Sequence, residues 1–366
     1  MAEVVIKNSI EQFNKQQWNN CFDNILEDYD YLLATEKAGI KGFEFFYIAI
    51  VENNTILAAA HAFITKYDIS ATASGVIKSI TNVITKIFPN FLKLTCAAIG
   101  SIETERNYLG FLPGLSDEEK KKLLIQILDS FENFGKNNGA KLFGMRDIPE
   151  SEKNLWGEIM ESLQYKKMNS LPTAILEINF KSFDEYFNSL SYKTRKDMRR
   201  KMKVRNFIKV TKIKNLESFK DIMNLYFHTK DRSELEFAEL TEDFFKGVSQ
   251  YLKDRAVYSI YSVNDHIIGF DLSLISKEIL IDKFIFLKEG EGKKYNLYFN
   301  SWFDNVKYCI ENKIKIYQAG QSEYKEKLKL GCKLLNNYLY FKHDNYLIDK
   351  ILRLISPLFE VKVHRV

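Results

Sequence analysis

Cysteine and proline are scarce in this sequence, and long apolar runs are absent. Its 366 residues include four cysteines and five prolines, and no two cysteines have the Cys-x-x-Cys spacing. This excludes a disulfide framework and the common zinc motifs, and it predicts a reducing compartment. No apolar run approaches twenty residues, and the start, MAEVVIKNSIEQFNKQQ, lacks the apolar core of a signal peptide. The sequence therefore predicts a cytoplasmic protein with no metal site.

The composition predicts two globular domains of mildly basic character. A chain of 366 residues is too long for one compact core. Hydrophobic residues make up 46% and charged residues 28% of the chain, as in ordinary globular proteins. The net charge of +5 suits an anionic cofactor or a membrane surface, but it is too small to require nucleic acid.

The second half of the chain predicts a strand meander followed by a loop and a helix. Three antiparallel strands are predicted at Ala256–Val263, Ile267–Ile275 and Ile279–Leu287. The next segment, KEGEGKKYN, carries Gly290 and Gly292 before a predicted helix, where backbone N–H groups can approach a pyrophosphate. A strand is predicted at Lys313–Gln318, then a short polar helix ending at Gly331, and a last strand over Leu334–Phe341.

This order of elements resembles the GNAT superfamily and, within it, the Fem-type double-domain acyltransferases. Two further segments carry the resemblance, LSYKTRKDMRRKMK at 190–203 and YQAGQSEYKEKLKLG at 317–331. The resemblance is close in the second half and only in outline in the first, where a meander also appears at 45–65. It implies an α/β (α+β) fold of two tandem GNAT-like domains, each a mixed, mostly antiparallel sheet flanked by helices. The expected domains are 1–180 and 181–366.

The resemblance also implies acyl-CoA or coenzyme A as a co-substrate held at the glycine loop. The implied cofactor-binding residues are Phe284, Phe286, Leu287, Gly290, Gly292, Lys293 and Lys294. The loop departs from the family pattern because Leu287 stands where Gln or Arg is usual. Glu289 and Glu291 add negative charge near any phosphate, and Lys288 with the two lysines after Gly292 could compensate for it.

Acyl transfer to an amine requires a base, donors for the carbonyl oxygen and an acid for the leaving group. The resemblance implies that a tyrosine near the last helix protonates the leaving thiolate. Tyr324 is the preferred acid and Tyr317 its rival, because a phenol with a pKa of about 10 lies slightly above a thiol. Asp282 and Glu323 are the candidates for the base.

The resemblance also implies that the acyl donor lies between the strand that ends at Leu287 and the strand Lys313–Gln318, which must splay apart to admit it. Asp282, Phe284 and Phe286 are then expected to face this gap from one side, and Tyr317 to Tyr324 from the other.

The segment before the second meander is densely basic. Its candidate anion-binding residues are Lys193, Arg195, Arg199 and Arg200. Asp197 is the single acid of the run, and Met198 and Met202 mark a buried helical stripe. One interpretation is a solvated helix face. The other is a site for coenzyme A phosphates, lipid headgroups or an RNA backbone.

The stretch Val76–Phe88 has apolar residues at helical spacing, and Pro89 ends it. It predicts either a helix packed within its own domain or a cationic amphipathic helix. The second alternative would touch the inner face of a membrane or line an acyl-chain tunnel.

Three functions remain open at this point. The first is an acyl-CoA-dependent N-acyltransferase acting on an amine of a small molecule, amino acid, peptide or lipid precursor. The second is a Fem-type transferase that uses aminoacyl-tRNA, with RNA held by the basic segment. The third is a non-catalytic module that binds a lipid or a partner protein, which the unusual loop residues Leu287, Glu289 and Glu291 favour.

Overall fold

The computed structural model describes residues 2–22, 25–68, 93–214, 216, 218–230, 238–358 and 360. The strands are β1 (Glu3–Lys7), β2 (Phe43–Glu52), β3 (Thr55–Asp68), β4 (Lys93–Ile99), β5 (Gly110–Phe111), β6 (Leu142–Pro149), β7 (Lys166–Asn169), β8 (Thr173–Glu177), β9 (Lys209–Ile213), β10 (Ala256–Val263), β11 (His266–Ile275), β12 (Ile279–Leu287), β13 (Ile316–Gly320), β14 (Lys333–Leu335) and β15 (Asn337–His343). The helices are α1 (Lys15–Cys21), α2 (Tyr29–Lys37), α3 (Asp117–Asn137), α4 (Lys153–Ser162), α5 (Phe183–Ser189), α6 (Tyr192–Met202), α7 (Lys220–Lys230), α8 (Glu242–Leu252), α9 (Glu291–Lys294), α10 (Leu297–Glu311), α11 (Tyr324–Lys329) and α12 (Tyr346–Ile355). The amphipathic stretch Val76–Phe88 lies outside the described residues.

The strands form two mixed sheets with the same internal plan. The first has the order β1-β2-β3-β4-β6-β15-β7, with β5 beside β3. The second, written from its other edge, has the order β9-β10-β11-β12-β13-β8-β14. Each sheet has one parallel pair among antiparallel ones, β4 with β6 in the first and β12 with β13 in the second. The two-domain arrangement predicted from the sequence is therefore present.

Each sheet takes an interior strand from a distant part of the chain. In the first sheet β15 lies between β6 and β7, and in the second β8 lies between β13 and β14. The chain accordingly divides into a first compact unit of Met1–Glu36, Ile40–Leu171 and Asn336–His364, and a second unit of Lys37–Gly39, Pro172–Leu335 and Arg365–Val366. These units differ from the predicted halves because β8 belongs to the second sheet and β15 to the first.

The final predicted strand, Leu334–Phe341, is also two strands in the structure. β14 pairs with β8 of the second sheet, whereas β15 pairs with β6 and β7 of the first. Asn336 separates them, and its side chain donates a hydrogen bond to Glu150. The apolar pattern runs through both strands, so local periodicity could not reveal the change of sheet.

Local chemistry explains the helix that covers the first sheet. At the start of α3, Ser116 Oγ accepts from Glu119 N at 3.3 Å, and the Glu119 carboxylate accepts from Ser116 N at 2.8 Å. This is the capping box predicted from the sequence. The buried face of α3 includes Leu124, Ile127 and Phe131, which join the core of the first unit. No described helix has both the length and the apolar character needed to cross a membrane.

Candidate functional site

In the second sheet, the parallel strands β12 and β13 separate after three residue pairs. The pairs are Ile279 with Ile316, Leu280 with Tyr317, and Ile281 with Gln318. β12 continues to Leu287, but no further pair joins these two described strands. Beyond Ile281 no described residue of β12 pairs with β13, so a ligand could add its own hydrogen-bonding groups beside β12 at this point. This gap lies where the sequence analysis expected the acyl donor.

Asp282 is the first residue of β12 beyond the paired segment. Its Oδ2 accepts a hydrogen bond from the Tyr317 hydroxyl at 2.6 Å, which links the strands where they part. Tyr317 is fully buried and packs on Trp302 with 4.9 Å between ring centroids. Burial, reinforced by the neighbouring Asp282, raises the pKa of the Tyr317 phenol well above its usual value. Tyr317 therefore keeps its proton and holds the Asp282 carboxylate in place.

Asp271 of β11 is a fully buried carboxyl beside the half-buried Asp282, and the sequence analysis did not single it out. Its oxygens accept hydrogen bonds from Ser273 Oγ at 2.9 Å and from Asn305 Nδ2 at 3.1 Å. Burial and then the charge of Asp282 raise the pKa of Asp271 well above its usual value. A signal was available, because an aspartate in the middle of the apolar strand IIGFDLSLI must face a polar partner.

Asp271 and Asp282 together can carry only one negative charge at low energetic cost, and that charge is more stable on Asp282. Burial raises the pKa of Asp282 too, but the hydrogen bond from Tyr317 and the positive charge of Lys327 oppose that rise. Lys327 is itself only 3% exposed, in a helix that the sequence indicated simply as polar. Two adjacent carboxyls cannot both ionise without strong repulsion, so we assign the proton of the pair to Asp271. The result is an Asp282 carboxylate supported by a buried phenol and a buried ammonium group.

Phe284 and Phe286 do not share the face of Asp282, which corrects the expectation that all three line the gap. The register shifts between Leu272 and Ser273, so that Lys283 is an extra residue in β12. The bulge turns the two phenylalanines to the opposite face of the sheet. There they pack with aromatic rings from β11 and α8, including Phe244, Phe245 and Phe270. They belong to the core of the second unit.

The predicted cofactor loop is largely occupied by its own contacts. The Leu287 N–H donates to Thr229 Oγ1 at 3.2 Å, so this backbone donor already has a partner. Gly290 has φ of +72° and precedes α9, which has only four residues. Gly292 is buried, and a Cβ there would lie 3.0 Å from Leu287 Cβ, so a larger residue would fit only if Leu287 shifted slightly.

Charges at this loop compensate one another in part. Lys288 Nζ lies 2.9 Å from Glu291, the first residue of α9. Glu291 thus places a negative charge at the start of α9, which would repel a phosphate bound there. Lys293 and Lys294 are exposed, and Lys294 Nζ lies 5.1 Å from the Tyr295 ring centroid.

The other predicted catalytic residues lie at the start of α11. The Tyr324 hydroxyl donates to the Pro172 carbonyl at 2.8 Å, and the ring is half-buried. Glu323 is exposed and adopts a left-handed backbone conformation with φ of +50° immediately before the helix. The structure thus brings Asp282 and Tyr317 into direct contact and gives Tyr324 a different hydrogen-bond acceptor.

The basic segment forms α6, and its predicted anion-binding residues have different surroundings. Arg195 Nη1 donates to the Asn188 carbonyl at 3.0 Å and also to the Leu190 carbonyl, so it caps the end of α5. Arg200 pairs with Asp197 at 2.7 Å. Arg199 lies over the Phe187 ring at 5.4 Å, and Lys193 is exposed. Several cations of α6 remain at the surface, but Arg195 is part of the fold.

Replacement of Arg195 by alanine is expected to lower the free energy of unfolding by about 1–3 kcal/mol, because two carbonyls lose a charged donor. Urea denaturation would measure this change. Lys193→Ala is the matched control, since it removes an exposed cation of the same helix and should change stability by less than about 0.5 kcal/mol. Equal stability of the two variants would contradict the capping role.

A separate buried polar cluster in the first unit surrounds Asn107. Its Oδ1 accepts from Ser101 N at 3.0 Å, and its Nδ2 donates to the Arg146 carbonyl at 3.0 Å, which fixes the amide orientation. His61 Nε2, 3.3 Å from the same Oδ1, must therefore carry the ring proton. Burial lowers the pKa of His61 from 6.5 to about 4, so the ring is neutral at pH 7.

This cluster predicts a pH dependence of stability. The pKa of His61 is lower in the folded state than in the unfolded state. His61 therefore contributes stability above pH 6.5, and this contribution is lost as the pH falls from 6.5 toward about 4. The wild type should lose about 3 kcal/mol over this window relative to His61→Gln, because a shift of one unit is worth about 1.4 kcal/mol. Urea denaturation at several pH values would measure the difference. A His61→Gln curve that runs parallel to the wild-type curve would contradict the assignment.

Comparisons with known proteins support the fold described above. The family model described as peptidoglycan biosynthesis/recognition, FemAB-like, matches residues 111–351. The crystal structure of FemX matches with a TM-score of 0.62 at 13% identity, covering 96% of this chain and 100% of FemX. A tandem GNAT protein from the clavulanic acid biosynthesis pathway gives 0.55 at 7% identity, covering 94% and 99%.

A third similar structure is L-PGS from Bacillus licheniformis, with a TM-score of 0.51 at 10% identity, covering 89% of this chain and 90% of that one. No curated protein sequence matches the chain. At these identities the structural likeness shows the fold alone. It confirms the predicted pair of tandem GNAT-like domains.

Proposed function

This chain belongs to the FemAB-like family, and we propose that it is a transferase that joins an aminoacyl group from a charged tRNA to an amine. The membership confirms the Fem-type resemblance and supports an acyltransferase-type function. The family description supports a peptidoglycan precursor as the source of the acceptor amine. The donor and the acceptor are the parts that we propose.

The observation that carries this proposal is the opened pair β12 and β13 with the Asp282–Tyr317 contact at its apex. The strands part after Ile281, and Asp282 follows at once. A carboxylate fixed beside a strand gap suits an amine that must lose a proton as it attacks. The Tyr317 hydrogen bond orients the carboxylate, as a positioned base requires.

We assign the proton steps as follows. The amine nitrogen forms a bond to the acyl carbon while Asp282 takes its proton. The bond from that carbon to the ribose oxygen then breaks, and Tyr324, after releasing the Pro172 carbonyl, gives its proton to that oxygen, which leaves as a hydroxyl. Lys327, buried and close enough to influence Asp282, is our candidate to stabilise the negative charge on the acyl oxygen. Asp282 returns its proton to Tyr324 through solvent before the next turnover.

The surroundings of the glycine loop favour tRNA over coenzyme A as the donor. The Leu287 N–H has an internal partner, and Glu291 occupies the start of α9. Exposed cations on α6, including Lys193 and Arg199, instead suit a polyanion with an extended backbone. Acyl-CoA is the second candidate donor, and the exposed Lys293 and Lys294 favour it because they lie at the loop where its phosphates would bind.

Thermal and chemical stability in the presence of each donor would test the proposal. A ligand at a hundred times its dissociation constant adds about 2.7 kcal/mol to the free energy of unfolding. We expect charged tRNA to stabilise the protein and to bind with strong salt dependence. Lys193→Ala should lower the slope of log affinity against log salt by about one, without changing stability.

Three other outcomes have distinct meanings. Stabilisation by acyl-CoA but not by tRNA would replace the proposed donor while leaving the transferase assignment. Binding of tRNA with an unchanged salt slope in Lys193→Ala would remove α6 from the RNA site. A protein that binds neither donor would support a non-catalytic module that binds a lipid or a partner protein.

A further inference from the structure

The helix α12 of the first unit carries an unusual concentration of exposed apolar side chains. We define its outer stripe as Leu347, Ile351, Leu354 and Leu358. Their exposed fractions are 68%, 45%, 81% and 56%. Leu347, Ile351 and Leu354, at spacings of four and three, lie on one side of α12, and Leu358 follows in the 3-10 turn Ser356–Leu358 just after the helix ends. Scattered surface leucines are common, but a contiguous stripe of this kind marks an interaction site.

The outer stripe is not the face that fixes α12 to its domain. Leu352, with its neighbours Ile348 and Ile355, packs against Met168 and Phe341 of the first sheet. The helix is therefore apolar on an inner face that the fold uses and on an outer face that the fold leaves exposed. A helix in a soluble domain needs only the inner face for folding. The outer stripe must be explained by something other than the stability of this domain.

Charge beside the outer stripe indicates what covers it. Lys350 lies on the same helix, is exposed, and approaches the Tyr346 ring with its Nζ at 4.5 Å from the centroid. Arg353 follows it, paired with Asp349. The charged residues of α12 are Asp349, Lys350 and Arg353, which gives the helix a net charge of +1. An aromatic ring, an apolar stripe and flanking cations are the features of a helix that lies at a lipid surface.

A second copy of this chain fits the stripe less well. In a two-fold interface the same surfaces face each other, so the net positive charge of each α12 would face the same charge on the other copy. Like charges at the rim of an interface oppose association. An anionic lipid surface has no such conflict, because its phosphates attract the same cations.

We propose that the outer stripe of α12 docks on an anionic membrane surface, with Leu347, Ile351, Leu354 and Leu358 entering the lipid and Lys350 meeting the headgroups. This contact is separate from the stretch Val76–Phe88 considered in the sequence analysis. It does not depend on which acyl donor the protein uses.

Flotation of the full chain with vesicles tests this proposal. The probes are vesicles of phosphatidylcholine with phosphatidylglycerol, and vesicles of phosphatidylcholine alone. We expect the protein to float with the anionic vesicles, and Leu347→Ser with Leu354→Ser to reduce the bound-to-free ratio at least tenfold. The double variant should still fold, because both side chains are exposed.

The matched control is Phe207→Ser with Phe227→Ser, which removes two exposed apolar side chains of the second unit, 67% and 42% exposed, without changing the net charge. It should float like the wild type. Lys350→Glu should weaken binding to the anionic vesicles.

Four results would overturn the proposal. One is a wild-type protein that floats with neither vesicle. A second is a Leu347→Ser, Leu354→Ser variant that floats like the wild type. A third is equal loss in the control variant. The fourth is a concentration-dependent dimer that the α12 variant abolishes, with no vesicle binding, which would assign the stripe to a second copy of the chain.

Discussion

A chain that ends at Leu335 is expected to lose the folded first unit. The truncation removes β15, which pairs with β6 on one side and β7 on the other. It also removes the buried rings of Tyr338, Tyr340 and Phe341. Burial of each such ring contributes about 1.5–3 kcal/mol, and the lost strand pairs add to this. The sum is comparable to the 5–15 kcal/mol that stabilises a whole domain.

Circular dichroism and urea denaturation would measure the effect. The matched control ends at Asp344, because it keeps all of β15 and removes only α12 and the residues after it. It should unfold cooperatively with a modest loss of stability. A cooperative, full-amplitude transition in the chain that ends at Leu335 would show that β15 is dispensable.

The same reasoning applies to the domains predicted from the sequence. A fragment of residues 1–180 lacks β15, and a fragment of residues 181–366 lacks β8 of the second sheet. We expect neither fragment to fold alone, since each sheet would lose an interior strand and expose two unpaired edges. A mixture of the two fragments should recover cooperative unfolding, because it contains both β8 and β15.

The local elements of this fold could be predicted because their signals are local. β10, β11 and β12 are runs of β-branched and aromatic residues with short turns, and they match the predicted bounds to within one residue. The helix α3 begins at Ser116 because of its capping box. The GNAT-like order of these elements then carried the family resemblance.

The partners of the terminal strands could not be predicted in this way. β15 is an ordinary apolar run, and its place between β6 and β7 depends on contacts with residues nearly 200 positions away. Only the relative stability of long-range pairings decides such a case, and sequence periodicity carries no information about it.

The candidate site was predicted only in part for similar reasons. Asp282 and Tyr317 could be chosen from chemistry and position, and the structure brings them to 2.6 Å. The alternation of side chains along a strand predicted the wrong face for Phe284 and Phe286, because a single extra residue, Lys283, reverses the faces of β12. Asp271 was missed although an aspartate inside the apolar strand IIGFDLSLI indicates a polar partner, and its nearness to Asp282 depends on the register of β11 with β12.

Replacement of Asp282 by asparagine is expected to lower turnover by about 10²–10⁴-fold, since a positioned general base contributes that much. Stability should stay the same or rise. Burial raises the pKa of Asp282, so its ionised form opposes folding near neutral pH, and a neutral amide of the same shape removes that cost. Loss of activity without loss of stability would separate the chemical role from the structural one.

The control for this experiment is Asp271→Asn. Asp271 holds the shared proton in our assignment, and asparagine imitates its neutral form, so turnover should fall by less than about tenfold. Turnover would be measured with whichever donor stabilises the protein, across pH. The wild-type rate should rise with pH through a midpoint above the usual aspartate value, because the base must be ionised and its pKa is raised. Tyr324→Phe should lower the rate by about 10²-fold or more without moving that midpoint. Wild-type turnover in Asp282→Asn, or an equal loss in Asp271→Asn, would refute Asp282 as the base and leave the pair as a buried polar support for the fold.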